Sequence, residues 1–346
     1  MKYKLLGNTG LRVSEVALGT MTFGTEAGWG ADKESSKQMF DTFLKAGGNF
    51  IDTANEIYTG GTSEKFTGEF IKSEREYIVL GTKYTDAMPG KDPNMAGNSR
   101  KNMVQSLERS LKRLDTDYID VFWVHSWDFM SPVEEVLRAL DDLIRQGKIM
   151  YLGISDTPAW VISKANMYAQ ENGLTPFAAS QIEYSLIQRT GERELLPMAK
   201  SEGMTTLGWS PLSSGILTGK YSKKNGKDEG NRRLDKAAFA ALTDHNLAIG
   251  DKVVEIAERN NVHPATIAIS FVKQNDIIPI LGGTKASHIE SNLKSIDFEL
   301  NTNDMAELKE ISAIQLGFPH DFLKSTQAVT YGGQLENIVH NRPFIL

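Results

Sequence analysis

The sequence predicts a (β/α)8 barrel. Eight short β-branched or apolar runs alternate with longer stretches of helical periodicity, no Gly-x-Gly-x-x-Gly follows the first run, and no Pro- or Ser-rich linker divides the chain. Strict alternation implies a parallel sheet with right-handed crossovers. Eight units of about forty residues close into one barrel more readily than they divide into two doubly wound domains. Residues 1–346 are therefore expected to form a single barrel domain with an N-terminal hairpin and extra C-terminal helices and tail.

Residues 1–15 read as the hairpin, turning at Asn8-Thr9-Gly10 and placed to plug the bottom of the barrel. The expected strands are Val16–Gly19, Phe50–Thr53, Ile78–Lys83, Ile119–His125, Tyr151–Ser155, Ala179–Tyr184, Thr205–Ser210 and Ile278–Gly282. Helices are expected near 33–46, 63–72, 99–114, 132–146, 158–172, 192–201, 264–274 and 286–296, with an extra one near 245–260. Ser131-Pro132 and Thr157-Pro158 read as a capping hydroxyl before a proline at the first helical position, and His263-Pro264 carries the same proline. The polar stretch 221–236 reads as a mobile loop. The tail after Ala313, with Phe318, Pro319, Phe322, Tyr331 and Phe344, reads as an ordered but irregular cap, either over the barrel mouth or as a contact in a homo-oligomer.

Composition bounds the function. Hydrophobic residues make up 40% and charged residues 24%, with 30 Gly and 11 Pro, which excludes disordered and collagen-like classes. The 38 basic and 44 acidic residues give a net charge of −6, which disfavours nucleic acid or an anionic membrane as partner and leaves a small molecule. With no cysteine there is no disulfide, thiolate metal site or Cys nucleophile. The six histidines show no paired-ligand spacing at a strand end, so no metal is expected. The start of the chain lacks a signal-like apolar run and no window approaches ~18 apolar residues, giving a cytoplasmic expectation.

In such a barrel the chemistry sits where the strands end. Asp52 ends the second run with Tyr58 just beyond it, Lys83 ends the third, and His125 ends the fourth. Singly, Asp52 could cap the following helix, Lys83 could pair with a surface acid, His125 could be a core imidazole and Tyr58 could pack under its loop. Together they make a set for carbonyl reduction. A phenol with a pKa near ~10 is a poor donor at neutral pH, and a neighbouring ammonium is expected to lower it. Lys83 would be that ammonium, held by Asp52, while His125 donates a hydrogen bond to the same oxygen. The hydride must come from a cofactor.

These residues resemble the aldo-keto reductase family. The likeness runs from Leu5-Leu6-Gly7-Asn8-Thr9-Gly10-Leu11-Arg12-Val13-Ser14 through Leu18-Gly19-Thr20-Met21 and Gly97-Asn98-Ser99-Arg100 to Asn292. It implies a catalytic tetrad of Asp52, Tyr58, Lys83 and His125. The family usually reads Asp-Thr-Ala-x-x-Tyr, whereas this chain has one more residue, Asp52-Thr53-Ala54-Asn55-Glu56-Ile57-Tyr58, which a bulge would have to absorb.

The resemblance also implies a nicotinamide cofactor, NADP with NAD as the alternative. Thr20, Met21 and Asp52 would lie beside the nicotinamide, Ser155 and Gln181 would bind its carboxamide, and Trp209 would stack on the ring. Ser210, Pro211, Leu212 and Gly215 would line the pyrophosphate, with Lys220 adding charge. Gly282, Thr284, Lys285, His288 and Asn292 match the site for the adenosine 2′-phosphate. Position 288 is His where Arg or Gln is common, and neutral His lacks the permanent planar fork of Arg. Arg232 or Arg233 would be available to compensate. Phe23, Trp29, Tyr84 and Trp127 are expected either around an apolar mouth or packed beneath its loops. Because the likeness extends to potassium-channel β subunits, the second reading is a nucleotide-sensing regulatory subunit with little turnover.

Overall fold

The computed structural model describes residues 1–221 and 241–339. Two antiparallel strands, β1 (Tyr3–Leu5) and β2 (Arg12–Ser14), precede a closed parallel barrel of β3 (Ala17–Gly19), β4 (Phe50–Asp52), β5 (Val79–Tyr84), β6 (Ile119–Val124), β7 (Ile149–Ser155), β8 (Ala179–Glu183), β9 (Thr205–Trp209) and β10 (Ile277–Leu281). Neighbours in the chain are neighbours in the barrel, and β10 pairs with β3 to close it. All eight expected strands are present, shifted by at most two residues at either end.

The helices are α1 (Lys33–Lys45), α2 (Thr62–Ile71), α3 (Arg100–Leu114), α4 (Val133–Arg145), α5 (Ala159–Asn172), α6 (Leu195–Ser201), α7 (Asp244–Arg259), α8 (Pro264–Gln274), α9 (Ala286–Leu293), α10 (Thr302–Ile311), α11 (His320–Ser325) and α12 (Gln327–Thr330). Asp32 caps α1 by accepting from Ser35 N at 2.8 Å, and Ser99 caps α3. Pro264 opens α8 as expected, with His263 accepting from Ala265 N. The other two proline starts differ from expectation. Pro132 and Pro158 are themselves the cap residues, held extended at ψ 142° and 141°, and neither makes a side-chain capping bond. The preceding hydroxyls are engaged elsewhere, Ser131 with Asp128 and Thr157 with the Ser155 carbonyl.

The hairpin closes one end of the barrel. Leu6 and Val13 are fully buried in a cluster with Phe50, Val79, Val121, Ala178 and Ile278, the lower interior positions of the strands. Each contributes about 1.5–3 kcal/mol by leaving water. Gly7 has φ +55°, and a Cβ there would lie 2.3 Å from the Ala178 carbonyl oxygen, so only glycine permits this approach. Above the plug, Trp123 fills the interior. Gly81 and Gly153, on the strands either side, leave room for its ring.

The tail is more regular than expected. It forms α11 and α12 and is tied to the rest by Arg193 on the Gln315 carbonyl and by His320 on Glu194, with Phe318, Phe322 and Val329 exposed. Residues 222–236 of the expected mobile loop, Arg232, Arg233 and Phe344 lie outside the described residues. No described helix is long and apolar enough to cross a membrane.

Candidate active site

Consecutive strands bring the four expected side chains together. Asp52 ends β4 and Lys83 sits one residue before the end of β5, and their side chains meet inside the barrel mouth. Lys83 Nζ donates to Asp52 Oδ2 at 2.5 Å and to the Thr53 carbonyl at 2.8 Å, with the lysine fully buried. Gln181 Nε2 on β8 donates to the other oxygen, Oδ1, at 3.0 Å. The carboxylate is thus held from two sides, as a buried charge must be. Burial works to lower the lysine's pKa, but Asp52 and Tyr58 outweigh it, so Lys83 is held above the usual lysine value and stays an ammonium.

Tyr58 reaches this ammonium despite the longer loop. Asn55 folds the chain by accepting from Ile57 N at 3.1 Å and anchors it by donating to the Asp86 carbonyl at 2.9 Å. The side chain of Glu56 pairs with Arg109 at 3.3 Å and Arg113 at 2.9 Å, both on α3. Thr59, Gly60 and Gly61 then turn through positive φ into α2. Lys83 Nζ lies 5.2 Å from the centre of the Tyr58 ring, and His125 packs edge-on to that ring at 5.9 Å.

One electrostatic expectation is reversed. Burial raises the Tyr58 pKa, Lys83 pulls it down, and Asp52 pushes it up again; the net direction is upward. Burial of the phenol is the largest of these effects, and Asp52 adds to it. Tyr58 is therefore protonated at neutral pH, with the Lys83 ammonium beside its ring. His125 is pulled down to about 3 by burial and by Lys83, so it is a neutral imidazole.

The expected cofactor positions divide into open and engaged groups. Thr20 bonds the Ser63 hydroxyl at 2.8 Å, Gln181 bonds Asp52, and Asn292 holds α9 to the Gly282 carbonyl at 3.1 Å; these side chains tie elements together. Met21, at the tip beyond β3, is partly exposed. Ser155 ends β7 and is buried, while Trp209 ends β9 and donates its indole Nε1 to Asp156 at 3.1 Å. Ser210, Ser213, Ser214 and Gly215 all take positive φ, folding the loop with Pro211 and Leu212 back on itself.

A Cβ on Gly215 would meet nothing closer than 3.9 Å and one on Gly282 nothing within 4 Å, so both leave open space. The Ser214 hydroxyl is buried without a partner among the described residues. Beyond Gly282, α9 starts without a side-chain cap, leaving amides that suit a phosphate. Thr284 N donates to His288 Nδ1 at 3.2 Å, which leaves the proton of a neutral ring on Nε2. Burial, Lys220, Lys285 and His263 all hold the His288 pKa down. A nicotinamide dinucleotide fits this set: open glycine edges, an unpaired hydroxyl and free helix-start amides.

Several residues carry more than sequence reasoning gave them. Asp156 follows Ser155 directly at a strand end, and Asp86 lies three residues past Lys83, so position alone would have flagged both. His263 lies with His288 in the field of Lys220, and burial first and then that field hold both imidazoles down. Conversely, Phe23 and Tyr84 do not line the mouth; both are fully buried, with Tyr84 stacked on Phe122 at 5.3 Å. Trp127 packs against the core and Trp29 is half-buried. The exposed apolar groups beyond β6 are instead Phe129 (67%) and Met130 (83%).

Comparison with known proteins agrees with the geometry. The sequence model described as the aldo/keto reductase family matches residues 15–313. A norsolorinic acid reductase of Aspergillus flavus is 38% identical across 94% of this chain and 85% of its own. A norsolorinic acid reductase of Emericella nidulans is 39% identical across 91% and 82%. An aryl-alcohol dehydrogenase [NADP(+)] of Phanerodontia chrysosporium is 38% identical across 92% and 87%. These relatives are named as reductases and dehydrogenases, which gives no support to a regulatory subunit without turnover. The chain belongs to the aldo/keto reductase family and is an NAD(P)H-dependent oxidoreductase.

Proposed function

We propose that this protein reduces an aromatic aldehyde or ketone to its alcohol with NADPH, reversibly, and that Tyr58 is the proton donor. The observation that carries the reading is the fully buried Lys83–Asp52 pair beside a protonated Tyr58 and a neutral His125. The bound nicotinamide would supply the hydride. As negative charge builds on the carbonyl oxygen, Tyr58 gives up its proton and the Lys83 ammonium steadies the resulting phenolate. Asp52 and Gln181 keep that ammonium in place. Ser155 would hold the carboxamide, Trp209 would present a ring face fixed by Asp156, and the 210–215 loop would cradle the pyrophosphate.

NADPH is preferred over NADH in this reading because Lys220 and Lys285 bring positive charge to His288 in the first turn of α9. The aromatic class rests on the names of the relatives and on Phe129 and Met130, which Asp128 pins in place by accepting from Met130 N and Ser131 N. The test is NADPH oxidation with an aromatic aldehyde such as veratraldehyde. Tyr58→Phe should keep cofactor-induced tryptophan quenching and lose on the order of 10²–10⁴ in kcat. Near-normal turnover in that variant would remove Tyr58 from the role.

A further inference from the structure

The loop that carries Tyr58 has one residue more than the usual spacing, and a charge cluster outside the tetrad grips it from both sides. Glu56, two residues before Tyr58, has Oε1 3.3 Å from Arg109 Nη2 and Oε2 2.9 Å from Arg113 Nη2. Both carboxylate oxygens are closed to solvent, and among the described residues neither makes an aligned hydrogen bond. These two charge contacts are therefore what offsets burying the carboxylate. Arg113 also grips the chain beyond Tyr58. Its Nε donates to Glu64 Oε2 at 2.6 Å in the first turn of α2, and it lies so close against the turn that a Cβ on Gly61 would come within 2.8 Å of its Cδ. Glu64 is fully buried and accepts at 2.7 Å from the hydroxyl of Thr82, the residue before Lys83 on β5.

We propose that Glu56, clasped by Arg113 with Arg109, is a positioning residue that sets where the Tyr58 hydroxyl sits relative to Lys83. The inference rests on the reductase reading above and deepens it. One guanidinium ties the chain before Tyr58, the turn after it and, through Glu64 and Thr82, the strand that carries Lys83. An added residue adds two backbone dihedrals that something must fix. The Asn55 side chain fixes the start of the loop, and the Glu56 contacts fix the stretch between Asn55 and the phenol. Because Glu56 is turned toward α3, it acts on the rate through Tyr58, whose proton transfer depends steeply on placement.

The test is a double-mutant cycle on the full chain. Glu56→Ala should lower kcat with an aromatic aldehyde on the order of tenfold, while KM and NADPH affinity hold within about twofold. In a Tyr58→Phe background the same substitution should change the residual kcat by less than about twofold, because the group it positions is gone. Glu56→Asp, which keeps the charge, should recover most of the loss. Arg113 is left in place because removing it would also strand the buried Glu64. The readout without turnover is the Tyr58 Cζ signal in chain carrying ¹³C-labelled tyrosine, identified by its loss in Tyr58→Phe, which Glu56→Ala should shift or broaden. An equal kcat loss in both backgrounds, a loss that falls on KM, or an unmoved Tyr58 signal would overturn the assignment. A signal that moves in a protein that reduces no aldehyde would sink the reductase reading while leaving Glu56 its part in placing the ring.

Discussion

Glu183 shows how far single carboxyls at this mouth depart from their behaviour in water. Burial and the nearby Asp156 push it up to about 7, against an ordinary value of 4.5. The unfolded chain loses this proton near pH 4.5 while the folded protein keeps it until about 7, so the folded state binds more protons across that window. Stability contributed by this group is intact below about 4.5, falls as pH rises, and is fully lost above about 7. Glu183→Gln should therefore raise Tm at pH 8 and leave it almost unchanged at pH 4. A Tm difference that is equal at the two pH values would show that the carboxyl titrates normally. Of the candidate site, the tetrad was legible because each member stands at or just past the end of an apolar run. The raised pKa of Tyr58 was not, because it depends first on how completely the folded barrel buries the phenol, and only then on the opposing pulls of Lys83 and Asp52.

At the scale of elements, the barrel is organised around one large side chain and the glycines that make room for it. Trp123 pairs across the sheet with Gly153, and a Cβ at Gly153 would fall 2.2 Å from the indole ring. The contact is with a rigid ring in a fully buried position, so the chain cannot yield by rotating a flexible tip. Gly153→Ala should cost at least 1–3 kcal/mol from overpacking, lowering Tm by several degrees; an unchanged Tm in calorimetry would mean that β7 moves freely. The eight strands were readable because buried parallel strands are nearly continuous apolar runs. Extra C-terminal helices were expected, but the position of the helix Thr302–Ile311 was not. Only Asp304 and Leu308 are buried on it, too weak a stripe to announce a helix, and its start depends on Asn301 accepting from Asp304 N. The two prolines that cap α4 and α5 were misplaced by one position because the motif fixes φ but not which residue first turns helical.

The whole molecule carries a net charge of −6 and yet, in the reading above, binds a polyanion. The general field opposes a dinucleotide phosphate, so binding must depend on a local reversal of sign. That reversal is present where Lys220, Lys285 and Lys294 stand near His263 and His288, whose imidazoles burial and these lysines keep neutral. Because Thr284 N occupies His288 Nδ1, the ring stays a neutral donor and the lysines carry the charge. NADPH has one phosphate more than NADH at this place, so its advantage should be electrostatic and sensitive to salt. Raising NaCl from low to high concentration should weaken NADPH several-fold more than NADH in a fluorescence titration. Lys285→Ala should lose about tenfold in NADPH affinity, the equivalent of one charge-assisted hydrogen bond of ~1.5 kcal/mol, and leave NADH nearly unchanged. Equal losses for both nucleotides would place Lys285 on the pyrophosphate instead. Equal salt slopes would show that the cationic group does not read the extra phosphate at all.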